Sequence, residues 1–153
     1  MNMLTADQLA YLLARGYPSL VKCVDYWVGH PVDSATFQQK APAFIVKWYP
    51  KNPPVPLSDD ILKLWDKYGA DCIRELSADA ARRKRNALLT DADRLVERAI
   101  DTASASDEKT ARTYRQALRD VPAQSGFPLE IEWPECPGQQ PQGDSDGTHN
   151  EIG

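Results

Sequence analysis

The sequence predicts an α+β fold: a small N-terminal helix plus β-hairpin module, a Pro-rich link, and a long C-terminal α-hairpin followed by a short strand and a disordered tail. Three observations lead there. Residues 20–28 and 43–49 are rich in Val, Ile, Tyr and Trp, side chains that fit a pleated, half-buried surface. Between residues 61 and 100 the apolar side chains recur every three or four positions, the period of an α-helix. Pro50, Pro53, Pro54 and Pro56 stand between these two patterns, and no helix propagates through them because each lacks an amide donor. The expected organisation is a module over 1–50, a link over 51–57, a helical module over 58–134 and an acidic tail over 135–153.

Taken in order, Thr5 and Gln8 make a capping-box pair ahead of Leu9, Leu12 and Leu13, the apolar face of a short helix that Gly16 can end. The two strands then pair across a broad loop holding His30, Pro31 and Asp33. In the second strand, alternation sets Phe44, Val46 and Trp48 on one side, while Ile45 and Tyr49 leave the other only half polar. Both faces are therefore expected to be covered. Ser58 is the expected N-cap of the long helix, with Asp59 and Asp60 where the helix dipole favours acids. Ile61, Trp65, Tyr68, Cys72, Leu76 and Ala80 form a coiled-coil-like seam, which Leu88, Ala92, Leu95 and Ala99 resume after the polar run 82–85, with Leu89, Val96 and Ile100 beside them. One helix, or two with a break near Thr90, satisfies that pattern, and such a helix offers a surface for self-association.

Residues 103–106 read as a turn, and Ser106 as the cap of a second helix with Asp107 and Glu108 in its first turn and a Glu108–Arg112 pair on its surface. Tyr114, Leu118 and Val121 give that helix its apolar face until Pro122 stops it. Gln124 to Gly126 form a turn. Leu129, Ile131 and Trp133 then alternate with Glu130 and Glu132, which predicts an edge strand ending at Pro134.

Composition excludes several functions. In 153 residues there is no apolar run near the roughly 20 that span a bilayer, and the N-terminus lacks the basic and apolar segments of a secretion signal, so no membrane partner is expected. Cys23, Cys72 and Cys136 are odd in number and widely spaced, which argues for reduced thiols and against a disulfide scaffold or zinc site. The net charge is −4, and Glu135, Asp144, Asp146 and Glu151 carry all of it: without them 18 of the 22 acids remain, equal to the 18 Lys and Arg. A neutral body has no field to gather nucleic acid, and the basic run Arg82 to Arg85 reads first as a solvated helix face, with contact to an acidic partner as its rival.

No catalytic set is legible. The two histidines are His30 and His149, and a Cys23–His30 nucleophile and base would lack both an orienting third group and an oxyanion motif. Asp59 with Asp60, or Asp91 with Asp93, falls short of the oxygen count and turn glycine of a calcium loop, and no Gly-rich phosphate loop exists. No enzyme activity, cofactor or metal is expected. Of the four tryptophans, Trp27, Trp48 and Trp65 read as core, whereas Trp133, at the end of a Pro-bounded strand, reads equally as core and as an interface anchor.

The segment 114–134 resembles the C-terminal signature of the tailed-bacteriophage tail assembly chaperone and tail-fibre assembly families. The residues that carry the resemblance are Tyr114, Arg115, Gln116, Ala117, Leu118, Arg119 and Asp120, then Gly126, Phe127 and Pro128, then Trp133 and Pro134. Upstream, Arg85, Asn86, Leu88, Leu89, Thr90 and Asp91 are similar to a further pattern of the family, while Ala92 and Ala111 stand where the family often has aromatic residues. The order Tyr17-Pro18, a Trp-bearing strand, Ile45 to Trp48 and Trp65 is also similar to small proteins of contractile-tail gene clusters. The resemblance implies a chaperone that binds a phage tail or tail-fibre protein in the bacterial host cytoplasm, with Tyr114, Leu118, Phe127, Ile131 and Trp133 as its partner-binding residues. The rival reading is a permanent virion component, a fibre-tip or baseplate adaptor in the tail.

Overall fold

The computed structural model describes residues 3–138 and is α+β, with helices α1 (Ala6–Gly16), α2 (Ser58–Asp101) and α3 (Ala105–Asp120) and strands β1 (Tyr26–Gly29) and β2 (Phe44–Trp48). The tail expected from residue 139 onward, with His149, lies outside the described residues. Compactness divides the chain into residues up to Arg82 and residues from Arg83, a boundary inside α2.

In the N-terminal unit α1 starts as its sequence requires. The Gln8 amide N–H donates to Thr5 Oγ1 at 3.2 Å, and the Thr5 N–H donates back to Gln8 Oε1 at 2.9 Å. Leu9, Ala10, Leu12 and Leu13 are buried. Gly16 is the last helical residue, and a Cβ there would lie 2.8 Å from the Leu64 methyl carbons, so its smallness sets how closely α1 approaches α2. Tyr11 Oη and Arg15 Nη2 both donate to Glu75 Oε1, at 2.9 and 2.8 Å, and join the same two helices at the surface.

The strands pair antiparallel, but β1 is shorter than expected. Residues 23–25 are turn rather than strand, with Lys22 in an isolated bridge: Asp25 Oδ2 accepts the Val21 N–H at 2.7 Å and Cys23 takes φ +68°, which folds the chain before β1 begins. The expectation for β2 is overturned. Tyr26 pairs with Trp48 and Trp27 with Lys47, yet Val28 pairs with Ile45, so Val46 is a β-bulge without a partner. The extra residue brings Ile45 and Trp48 onto one face, against the core, and leaves Phe44 and Val46 outside. Trp27 and Tyr49 are exposed too, so only one face of the hairpin is covered.

That face closes over Leu9, Leu13 and Tyr26, with Tyr17, Leu20, Trp48 and Ile61 packed around them. Trp48 meets Tyr17 edge-on at 5.5 Å and Tyr26 at 5.8 Å, and its Nε1–H donates to the Pro53 carbonyl at 3.1 Å, which ties the Pro-rich segment to the hairpin. His30 has a structural partner: its Nδ1 accepts the Ala6 N–H at 3.2 Å at the start of α1.

α2 is a single helix of 44 residues. The break considered near Thr90 is absent, and Thr90 Oγ1 donates to the Asn86 carbonyl at 3.2 Å, one turn back in the same helix. Leu57, not Ser58, precedes its first turn, and Asp60 Oδ2 accepts the Leu57 N–H at 3.1 Å, the return half of a capping box. The seam holds at Cys72, but Ala80 is exposed and Ala81 is buried in its place. Leu62, Ile73 and Ile100 are exposed apolar residues of this helix.

Candidate partner-binding surface

In the C-terminal unit α3 returns along α2 and buries Ala111, Tyr114 and Leu118, at a spacing of three and four. Ser104, not Ser106, is its N-cap; after Ala103 at φ +54° the helix starts two residues earlier than the sequence suggests. Ala92, Tyr114 and Leu118 form the buried cluster, with Leu88, Leu89 and Leu95 packed against it. Arg115 Nη1 to Asp93 Oδ1 at 2.9 Å links the helices at the surface, and the expected Glu108–Arg112 pair forms, with the Arg112 Nε donating at 2.7 Å. Ala92 and Ala111 are both buried, so the positions where the resembled family often carries aromatics lie inside this helix contact and not on its surface.

Pro122 ends the helix as expected. The chain passes through a single 3₁₀ turn, Val121–Ala123, and then enters a loop closed by two devices. The first is the side chain of Gln124: its Nε2 donates to the Glu132 carbonyl at 2.8 Å, and its Oε1 accepts the Glu132 N–H at 2.9 Å. The second is Gly126, whose carbonyl accepts from Leu129 N at 3.0 Å and Glu130 N at 2.7 Å. A Cβ on Gly126 would stand 2.2 Å from the Glu130 carbonyl oxygen, so only glycine fits this turn.

The edge strand predicted over 129–133 is therefore not formed. Leu129 and Glu130 are spent in the turn, and the backbone of Glu132 is held by a side-chain amide instead of a neighbouring strand. Beyond it the chain folds back: Trp133 and Cys136 both pack on the Ala92–Tyr114–Leu118 cluster, and the Lys84 ammonium sits 4.3 Å above the Trp133 ring. Burial, with the adjacent Cys136 contributing, pushes the Tyr114 hydroxyl above its ordinary value.

The five predicted partner-binding residues fall into two groups. Tyr114 and Leu118 are buried and hold the hairpin together. Phe127, Ile131 and Trp133 are half-buried, brought to one loop, with Glu130 and Glu132 exposed among them. Leu129 was absent from that set and is the most exposed of these apolar side chains, at 61 %. Period two puts it on the face of Ile131 and Trp133, and the Gly126 turn leaves it the more exposed. Gln124 carried no signal either, since its partner is set by the fold. In the basic run, Arg82 pairs with Asp79 at 2.9 Å and Arg85 turns to Asn86, the solvated-face arrangement.

Residues 78–138, which include this hairpin and loop, match the family model described as phage tail assembly chaperone protein. The match supports a phage tail assembly family for the chain. Residues 9–72 match a second family model, described as XkdW protein. No curated protein and no solved structure matches the chain. The chaperone-family region starts just before the boundary between the compact units and takes in α3, the Gly126 turn and Trp133. A role in phage tail assembly follows for the chain, and with it a partner related to the phage tail.

Proposed function

We propose that this chain is a non-catalytic chaperone that binds a tail or tail-fibre protein in the bacterial host cytoplasm and promotes its folding or assembly. The reading rests on one observation within the family region: an apolar loop surface of Phe127, Leu129, Ile131 and Trp133, fixed by the Gln124 clamp and rimmed by Glu130 and Glu132. Half-exposed aromatic and aliphatic side chains on a rigid loop lose little entropy on binding, and a protein partner that covers them removes apolar area from water. Tyr114 and Leu118 take part indirectly, as the floor on which Trp133 rests.

The test is co-expression of the full chain with the tail or tail-fibre protein encoded beside it. The partner is expected to be soluble and assembly-competent with the parent chain, and to aggregate with a chain carrying Phe127→Ser, Leu129→Ser and Ile131→Ser. A partner that stays soluble and functional without this chain overturns the reading. Mass spectrometry of purified particles separates the transient chaperone, which is absent from them, from a retained adaptor.

A further inference from the structure

We propose that the outer face of the β1–β2 hairpin is a second docking surface, one that takes an apolar protein segment bearing carboxylates. It lies in the N-terminal unit and does not depend on the loop surface assigned above. A two-stranded hairpin has two faces, and here the core covers one. The other shows Trp27, Phe44 and Val46, each about half exposed, and Tyr49 just beyond β2 is more exposed still. Isolated apolar side chains on a surface need no explanation, but several on one sheet face, with the strands otherwise marginal by themselves, mark a surface built to be covered.

The shape has a local cause. The bulge turns Val46 outward, and Gly29 beside it supplies no side chain: a Cβ there would meet Val46 Cγ2 at 3.2 Å. Gly29 pairs with Phe44 and Trp27 with Lys47, so the face is a glycine-floored notch between Trp27, Phe44 and Val46.

Charge chooses the occupant. Around the strands, residues 17–57 hold four lysines, Lys22, Lys40, Lys47 and Lys51, against two acids, Asp25 and Asp33. Both acids are engaged. Asp25 accepts the Val21 N–H, and Asp33 accepts the Ala35 and Thr36 N–H groups and pairs with Lys40 at 3.0 Å. Lys47, in register with Trp27, puts an ammonium on the apolar face itself, with Lys22 and Lys51 at the strand flanks. A second copy of this face would bring like charges together, which disfavours self-pairing. With no arginine between residues 17 and 57 and a net charge of −4 for the chain, nucleic acid is a poor fit. An extended protein segment that alternates apolar residues with Asp or Glu meets both the notch and the lysines.

The experiment selects displayed random 12-residue peptides on the full chain and measures the winners by fluorescence anisotropy. Selected peptides are expected to be enriched in Asp and Glu with interleaved apolar residues. Their affinity should fall at least tenfold for Lys47→Glu and for Trp27→Ser, both exposed positions, with unchanged circular dichroism. Affinity should also be unaffected by Leu129→Ser, which separates this face from the loop surface. A chain carrying Lys47→Glu and Lys51→Glu should instead select basic peptides. Three results overturn the proposal: selected peptides with no acidic bias, binding indifferent to Trp27 and Lys47, or tighter Trp27-dependent binding to phosphatidylglycerol vesicles or to a dT20 oligonucleotide. Self-association that Trp27→Ser abolishes would also overturn it, in favour of a second copy as the occupant.

Discussion

Replacing Gly126 with alanine should unfasten the loop that carries Phe127 to Trp133. The new Cβ would stand 2.2 Å from the Glu130 carbonyl oxygen, more than 1 Å inside the roughly 3.4 Å at which such atoms normally touch. That neighbour is backbone, so no rotamer change relieves it, and the turn must open. Opening it breaks the bonds from Leu129 N and Glu130 N to the Gly126 carbonyl, each contributing about 0.5–1.5 kcal/mol. Adding the steric strain of an overfilled site gives a loss of about 2–4 kcal/mol for this unit, partly offset where the loop relaxes into water. Hydrogen exchange resolved by residue is the assay, since the two compact units need not unfold together. Protection at Leu129, Glu130 and Glu132 should collapse while that of Leu9 and Leu13 in α1 stays as it was. Unchanged protection at Glu130 and Glu132 in Gly126→Ala would refute the steric argument.

Ala111→Trp, which restores a ring the resembled family often has at that position, is expected to cost about 1–3 kcal/mol in urea unfolding of the C-terminal unit, because Ala111 is buried in the α2–α3 contact. Thiol labelling at neutral pH should modify the exposed Cys23 first and Cys72 last, since Cys72 is fully buried and burial pushes its thiol up to about 11. Asp33 is held at about 2 by the Thr36 N–H, the Lys40 ammonium and the Ala35 N–H. Its folded value lies below the ordinary 3.8, so its contribution to the loop is complete above about pH 4 and lost as the pH falls towards 2; the amide shifts of Ala35 and Thr36 should report that transition. Gln124→Ala should lower protection at Glu132 selectively, with little change in α3.

The helices were legible because their signals are local. Thr5 and Gln8 sit at the spacing that closes a capping box, Pro122 can only end a helix, and the run from Leu88 to Ala99 repeats at a helical period. The α-hairpin and the pairing of the two strands followed from these and from β-branched composition. What the sequence concealed was decided by single residues with distant partners. One bulged residue, Val46, moved Trp48 from the side of Phe44 to that of Ile45, since strand faces depend on parity and an insertion of one changes it. Gln124 replaced the partner strand that Ile131 and Trp133 seemed to call for, by a bond across eight residues that no periodicity encodes. At the candidate surface, Phe127, Ile131 and Trp133 were readable as apolar residues outside a helix. Tyr114 and Leu118 belong to the helical period and so to the interior.

An alternating apolar and acidic stretch with open backbone is a template on which another chain can polymerise as a β-strand. The Gln124 amide takes both the N–H and the C=O of Glu132, the two groups that such an incoming strand would need at that rung. The side chain therefore acts as an insulator as well as a fastener: the loop keeps Leu129 exposed and Phe127 and Ile131 half-exposed while the main chain of Glu132 is withheld from edge-to-edge growth. In a protein with a role in phage tail assembly, that arrangement leaves apolar side chains for a tail-related partner while the main chain of Glu132 offers no free rung.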